Sequence, residues 1–134
     1  MTRQDLKQYK YTQEWIKGRL EYLEEYRTII EKITSTLSDM PKGSPVVQDK
    51  FAEKIAILID SINELMDKIN KQQGKQKKIL EQIDKVEEPY RCILDKVYIQ
   101  GKTLVTVASE LHYSYVDICR KHGIALQKFD ELMI

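Results

Sequence analysis

Apolar residues recur with helical spacing along most of this 134-residue chain. In the first third they return every seven residues, at Tyr9, Ile16, Leu23, Ile30 and Leu37. In the second third they alternate by four and three, at Phe51, Ile55, Leu58, Ile62, Leu65 and Ile69, and the same register resumes at Ile79, Ile83, Val86 and Tyr90. Patterns that keep phase over this length predict two long helices that pair through one seam, as in a coiled coil.

A segment rich in turn-forming residues separates the two long patterns. Pro41, Gly43 and Pro45 lie close together there and predict a turn near residues 39–47. Because the connection is short, the two helices are expected to pack antiparallel as a helical hairpin. The hairpin seam, which is also expected to support a dimer, is predicted to contain Ile16, Leu23, Ile30, Ile55, Leu58, Ile62, Leu65 and Ile69.

Both long patterns carry more apolar residues than one seam needs. The additional ones are Trp15, Leu20, Tyr22 and Ile29 in the first pattern and Ile57, Ile59, Met66 and Leu80 in the second. Such a wide stripe predicts a second partner surface, most simply another copy of the chain in a four-helix bundle. The alternatives are scattered surface residues or contacts with the C-terminal part. Gly74 is a weak point of the second pattern, which either continues through it or breaks there.

The last third of the chain holds two shorter helical patterns, each preceded by a capping residue. Thr103 precedes the inward set Leu104, Val107, Ala108 and Leu111, and Ser114 precedes the inward set Ile118, Ala125, Leu126 and Phe129. Asp117, three residues after Ser114, forms a capping-box-like pair with it. Two short helices joined by a tight turn predict a helix-turn-helix. We therefore expect an all-α protein: a long antiparallel coiled-coil hairpin in residues 1–87, then a small three-helix helix-turn-helix domain in residues 88–134.

The charge balance weakens the DNA-binding hypothesis that a helix-turn-helix suggests. The chain has 22 Lys and Arg against 21 Asp and Glu, and its net charge is +1. Typical DNA-binding domains concentrate positive charge on one face, so this balance argues against tight autonomous binding. The densest basic cluster is Lys75, Lys77 and Lys78. It is interpreted first as a solvated helix face, with a phosphate-binding patch as the alternative.

No arrangement of residues typical of an enzyme is present. His112 and His122 have no suitably spaced acidic or cysteine companion, so we expect no metal site, no cofactor, no small-molecule substrate and no catalysis. Cys92 and Cys119 are expected to be reduced thiols within helices. Neither a signal peptide nor a membrane-spanning stretch is evident. We therefore expect a soluble, cytoplasmic protein.

The stretch from Thr103 to Phe129 resembles region 4 of the sigma-70 family without a gap. The matching positions are Thr103, Leu104, Val107, Ala108, Leu111, Ser114, Ile118, Ala125, Leu126, Lys128 and Phe129. The preceding residues 98–103, the loop at residues 40–44 and the pair Asp49-Lys50 are similar to those of the phage-encoded RinA/ArpU-like regulators. That resemblance implies a regulator of phage or prophage late genes that binds promoter DNA in the cytoplasm or nucleoid of a bacterial host, with a contact to RNA polymerase left open.

This sequence departs from region 4 at the start of the second short helix, where region 4 has arginines and a glutamate that read the promoter. Tyr115, Val116 and Cys119 stand at those positions, and Arg120 and Lys121 bring the positive charge. Bidentate guanine recognition by an early arginine is therefore missing. The residues expected to contact DNA bases or phosphates are Ser114, Tyr115, Asp117, Arg120 and Lys121. Lys102 and Thr103 are expected to contact the DNA backbone.

Three functional hypotheses remain open from the sequence. The leading one is a homodimeric transcription regulator in which the hairpin holds two helix-turn-helix units at a fixed spacing. The second is an adaptor or assembly module that binds protein through both parts, which the neutral charge favours. The third is a DNA-packaging recognition subunit, which also combines a helix-turn-helix with a coiled coil. The mass of the oligomer distinguishes a dimeric regulator from the larger rings of packaging subunits.

Overall fold

The computed structural model describes residues 1–39 and 45–132. All regular elements of these ranges are helical, so the expected all-α class and the two long helices are confirmed. The elements are α1 (Arg3–Asp39), α2 (Pro45–Asp84), α3 (Tyr90–Leu94), a π-helical segment (Asp95–Ile99) that continues α3, α4 (Leu104–Leu111) and α5 (Tyr115–Glu131). Residues 40–44 lie outside the described ranges. They include the middle of the turn predicted near residues 39–47 and the loop that resembles that of the RinA/ArpU-like regulators.

The α2 helix is continuous through Gly74, which answers the question that the sequence left open. Open space surrounds the position where a Cβ of residue 74 would lie. The other residues of the turn preserve the helical hydrogen bonds, so this glycine weakens the helix without interrupting it. In the described part of the chain, no helix is both long enough and apolar enough to cross a membrane.

The chain divides into two compact units, which we call the terminal unit and the middle unit. The terminal unit comprises Met1–Glu14 and Gln73–Ile134, and the middle unit comprises Trp15–Gln72. Both long helices contribute to both units. This division follows spatial contacts, whereas the sequence boundary between residues 87 and 88 follows motifs and stays a prediction.

In the middle unit, α1 and α2 pack through a thin apolar seam. Ile16, Leu23 and Ile69 are buried there, and Trp15, Ile62 and Leu65 pack against them half-buried. Low-numbered α1 residues meet high-numbered α2 residues, as antiparallel helices require. Of the eight seam residues expected from the sequence, these three are buried, and Ile30, Ile55, Leu58, Ile62 and Leu65 are half-buried.

The terminal unit has a deeper core to which both ends of the chain contribute. Its largest buried cluster contains Leu6 of α1, Ile79, Ile83 and Val86 from the end of α2, Leu94 of α3, and Ala125, Leu126 and Phe129 of α5. Polar contacts fix the arrangement. Gln82 donates to the carbonyl oxygens of Met1 and Phe129, both at 2.8 Å. Arg3 forms an ion pair with Asp130. The start of α1 is therefore an integral part of the unit that holds α3, α4 and α5.

Candidate nucleic-acid interface

The α4 helix begins at a side-chain cap that the sequence predicted. Thr103 has an extended backbone, and its hydroxyl accepts a hydrogen bond from the Thr106 N–H at 3.2 Å. The chain reaches Thr103 through Gly101, whose φ of +73° lies in the left-handed region that glycine adopts without strain. The Lys102 N–H then bonds back to the Lys96 carbonyl at 3.0 Å. This closes the π-helical segment and fixes the direction in which α4 starts.

A tight turn links α4 to α5. His112 ends α4 with a φ of 61°, and the Tyr113 N–H bonds to the Ala108 carbonyl at 3.0 Å. This is the backbone pattern in which a glycine usually stands, so His112 holds a left-handed conformation with some strain. Ser114 then caps α5, because its hydroxyl accepts the Asp117 N–H at 3.1 Å. Both caps predicted from the sequence are thus confirmed.

The two short helices and α3 share a core of their own. Ile93, Val107, Ala108 and Ile118 are buried in it, and Val97, Leu104, Leu111 and Tyr113 pack around them half-buried. The inward positions expected from the sequence are confirmed for both helices: those of α4 and Ile118 of α5 lie in this core, and Ala125, Leu126 and Phe129 of α5 lie in the larger cluster of the terminal unit. This core holds α4 and α5 at a fixed angle, so the outer surface of α5 is a rigid feature of the terminal unit.

The outer surface of α5 is centred on residues spaced by four, three and four. Val116, Arg120, Gly123 and Gln127 are all exposed, and Val116 is 79% exposed. Tyr115, one residue earlier, is 53% exposed. We call these five residues the α5 outer face. Tyr115 and Arg120 of this face were predicted from the sequence as DNA contacts, and Val116, Gly123 and Gln127 were not.

Several residues predicted to contact DNA already have partners inside the protein. The Asp117 carboxylate accepts a hydrogen bond from the Arg120 guanidinium at 2.8 Å. In the described ranges Asp117 makes no return bond to the Ser114 N–H, so only the hydroxyl half of the expected capping box forms. The Lys121 ammonium lies 5.1 Å from the centre of the Tyr113 ring, a cation–π contact.

Glu110 links two lysines beside the α4 cap. Its carboxylate accepts hydrogen bonds at 2.7 Å from both Lys102 and Lys96. The hydrogen bond from Lys102, followed by that from Lys96, lowers the pKa of Glu110 below its usual value. The hydrogen bond to Glu110 in turn raises the pKa of Lys96. The sequence predicted that Lys102 contacts the DNA backbone. Its positive charge is already partly offset by the Glu110 carboxylate, which it shares with Lys96.

The seven predicted DNA contacts fall into three groups. Thr103 and Ser114 serve as helix caps with their hydroxyl groups, and Lys102 and Asp117 are held in ion pairs. Tyr115, Arg120 and Lys121 keep substantial accessible surface at the first two turns of α5. The neighbouring Cys119 thiol is the main cause that raises the pKa of the Tyr115 phenol above its usual value.

Other chemically versatile side chains lie inside the terminal unit. His122 is half-buried, and its Nε2 lies 2.7 Å from the Tyr98 hydroxyl. Burial, together with the charges of Lys7 and Arg3, lowers the pKa of His122. Cys92 and Cys119 are free thiols, as expected. Among the described residues, no group of three or more His, Cys, Asp or Glu side chains is placed to hold a metal ion.

Comparison of the chain with protein-family models, with curated proteins and with solved structures gives no match.

Proposed function

We propose that this chain is a transcription regulator that binds promoter DNA through a helix-turn-helix formed by α4 and α5. The observation that carries the proposal is the capped α4–turn–α5 arrangement, in which Thr103 and Ser114 each begin a helix and His112 turns the chain between them. A rigid pair of this kind allows the second helix to enter the major groove while the first crosses the backbone. Its resemblance to the RinA/ArpU-like regulators supports a role at phage or prophage late promoters.

The α5 outer face supports this use of the helix. Arg120 supplies a cation with 70% of its side chain exposed, and Tyr115 and Val116 supply apolar surface that matches thymine methyl groups. Gly123 lies between Arg120 and Gln127 without a Cβ, and nothing inside the protein requires a glycine there. A glycine that costs helix stability without an internal reason is consistent with close approach of a ligand to the backbone.

On this proposal, a domain without an excess of positive charge binds DNA by exchanging the ion pairs around α4 and α5 for phosphate contacts. Asp117 and Glu110 hold Arg120, Lys96 and Lys102 in place, at exposed positions where ion pairs are weak. A phosphate oxygen competes for the same donors, and the lysines or the arginine then move by a side-chain rotation. On this proposal, each helix-turn-helix binds DNA weakly by itself, and dimerisation supplies the rest of the affinity.

A homodimer is the second part of the proposal. Trp15, Tyr22 and Ile29 recur every seven residues on α1, and Tyr22 and Ile29 are 45% and 37% exposed. Ile59 and Met66 form a similar stripe on α2 and are also exposed. Exposed apolar stripes beside a half-buried seam favour association with a second copy of the chain. The mass of the purified protein by light scattering checks this part, and two copies are expected.

Selection from random duplexes, followed by gel-shift titration, tests the DNA-binding part. Arg120→Ala is expected to reduce the affinity for the selected site about tenfold and to relax its preference over a random duplex. Arg91→Ala is the matched control, because Arg91 also pairs with a carboxylate three residues earlier, Glu88, at 2.7 Å, but lies outside α5. Equal effects of the two substitutions, or the absence of any selected site, would contradict the proposal.

A second candidate function is a protein-binding adaptor. The observation that favours it is the exposure of Tyr115 and Val116 together at the start of α5, since exposed aromatic and aliphatic residues are typical of protein interfaces. Salt dependence separates the two functions, because phosphate contacts lose affinity steeply as salt rises and apolar contacts do not. A preference for one DNA sequence in the titration above excludes the adaptor as the main role of α5.

A further inference from the structure

We propose that lysines at the end of α2 form a second DNA-binding surface, which contacts phosphates without regard to sequence. This lysine surface consists of Lys75, Lys78 and Lys85. The inference rests on the proposed function for its ligand, duplex DNA, but it concerns a different part of the terminal unit from the α5 outer face. For Lys75 and Lys78 it takes the alternative that the sequence left open for the cluster of Lys75, Lys77 and Lys78, a phosphate-binding patch, over a solvated helix face.

The cationic side chains of the terminal unit differ in whether they have a partner within the protein. Every Lys and Arg between residues 90 and 132 has an internal partner. Arg91 pairs with Glu88, Lys96 and Lys102 with Glu110, Arg120 with Asp117, Lys128 with Glu87, and Lys121 lies over the Tyr113 ring. The helix-turn-helix region therefore offers no cation that a phosphate would meet without competition.

The lysines on the long helices of the same unit behave differently. Lys7, Lys10, Lys75, Lys77, Lys78 and Lys85 are all exposed, and within the described ranges none has a carboxylate within 4.0 Å. The run from Gln73 to Leu80 contains three of them and no acidic residue. The uncompensated positive charge of this unit is therefore concentrated near the end of α2.

Three of these lysines lie along one side. Lys75 and Lys78 are three residues apart on α2, so they project from the same face. Lys78 and Lys85 line one open cavity, together with Met1, Gln82 and Leu132. The Lys75–Lys85 stretch covers roughly 15 Å at the rise of a helix. A duplex along it presents about nine phosphate charges, which is ample for three lysines to contact.

Several acidic groups lie near this lysine surface and limit its charge; Glu87 and Glu131 line a second cavity together with Lys85. Glu81 lines the same cavity as Lys78 and Lys85. The pKa of Asp5 is lowered mainly by a hydrogen bond from the Thr2 N–H, and only to a smaller extent by the charge of Lys75. Asp5 is thus occupied by Thr2, whose N–H and hydroxyl both donate to it. The positive charge is therefore concentrated at Lys75 and Lys78, in the run from Gln73 to Leu80 that has no acidic residue, and this part of the surface is suited to a polyanion.

The experiment compares two double substitutions that remove the same charge from the same helix. Lys75→Gln with Lys78→Gln alters the lysine surface. Lys50→Gln with Lys54→Gln is the control, because these exposed lysines follow Asp49 and Glu53 directly in the sequence. The full-length variants are titrated with the selected duplex and with a random-sequence duplex over a salt series.

Removal of two phosphate contacts is expected to reduce the slope of log affinity against log salt by about 1.8. Between ~50 and ~200 mM salt the unaltered protein then loses about tenfold more affinity than the Lys75/Lys78 variant. The loss at low salt is expected to be equal for both duplexes, since phosphate contacts carry no sequence information. Circular dichroism of the variant is expected to match that of the unaltered protein, because both side chains are exposed.

The outcomes separate this inference from the proposed function. If the Lys75/Lys78 variant keeps the slope of the control while Arg120→Ala abolishes site preference, the lysine surface is excluded and the helix-turn-helix proposal stands. If no duplex is selected but binding to random duplex depends on Lys75 and Lys78, the lysine surface is supported and the regulator proposal fails. If the protein binds neither duplex, both proposals are overturned.

Discussion

The terminal and middle units differ in how completely they bury their apolar residues. In the terminal unit Leu6, Ile93, Val107, Ile118 and Phe129 are all 0% exposed. In the middle unit even the best-buried residues keep a few per cent of exposure, whereas large exposed apolar side chains occur in both units, such as Ile57 at 65% and Val116 at 79%. A core closed by several helices can surround a side chain, whereas two paired helices leave each seam residue open on its flanks.

On the proposed function, this difference assigns different roles to the two units. The terminal unit has enough enclosed core to hold α4 and α5 in a fixed geometry, which recognition of a ligand requires. The middle unit has an apolar surface that two helices cannot cover, and a second copy of the chain completes it most simply. The terminal unit is then expected to fold within one chain, and the middle unit to gain its full stability only in the dimer.

The largest expected effect comes from the centre of the terminal core. Phe129→Ala removes a fully buried aromatic side chain and is expected to cost about 3–5 kcal/mol of unfolding free energy. Phe51→Ala is the matched control in the middle unit, where the phenylalanine is only half-buried, and its cost is expected to be less than half as large. Urea denaturation followed by circular dichroism measures both. Equal costs for the two substitutions would remove the contrast between the units.

A second prediction tests the incomplete burial of the middle unit. Tyr22→Glu together with Ile29→Glu places two charges on the exposed apolar stripe of α1 and is expected to convert the dimer to monomer. The melting temperature of the unaltered protein is expected to rise with protein concentration, and that of the variant to be independent of it. Thr28→Glu with Ser35→Glu, at exposed polar positions of the same helix, is the control. A dimer that survives both pairs of substitutions would locate the interface elsewhere.

The sequence predicted those features of the fold that local chemistry determines. The apolar periodicities gave both long helices, and the hydroxyl groups of Thr103 and Ser114 marked the starts of α4 and α5. The inward positions of α5 followed from its spacing, because four- and three-residue steps leave one stripe facing the core. These predictions depend on residues within one or two helical turns of each other.

The sequence could not predict contacts between distant parts of the chain. Leu6 lies outside the seven-residue pattern, yet it is fully buried against residues more than seventy positions away. The ion pairs of Glu110 with Lys96 and Lys102 depend on the π-helical segment and the turn at Gly101, which bring three separate elements together. For that reason the candidate site was predicted as a set of free cations and is instead a set of paired ones.

A third prediction concerns Gly123, where one substitution is expected to have opposite effects on stability and on DNA affinity. The space around a Cβ at this position is open, so Gly123→Ala is expected to stabilise the terminal unit by about 1 kcal/mol. On the proposed function the added methyl group lies on the α5 outer face and weakens DNA binding. Gly74→Ala is the control, since it is expected to stabilise α2 similarly without affecting affinity. Urea denaturation and gel-shift titration give the two readouts, and unchanged affinity of Gly123→Ala would argue against close backbone approach.

The smallest expected effect is a pH dependence that belongs to the terminal unit alone. Burial first, then the charges of Lys7 and Arg3, lowers the pKa of His122 in the folded protein below its ordinary value of 6.5. The unfolded chain therefore binds a proton more readily, and the stability linked to His122 is present above pH ~6.5 and is lost as the pH falls below it. His122→Gln is expected to remove most of the decline in unfolding free energy between pH ~7 and ~5, a range in which most carboxylates stay ionised. His112→Gln is the control, because His112 is exposed. If the decline persists in His122→Gln but disappears in His112→Gln, the pH-sensitive group is at the turn between α4 and α5, and the half-buried Tyr98–His122 contact is not its source.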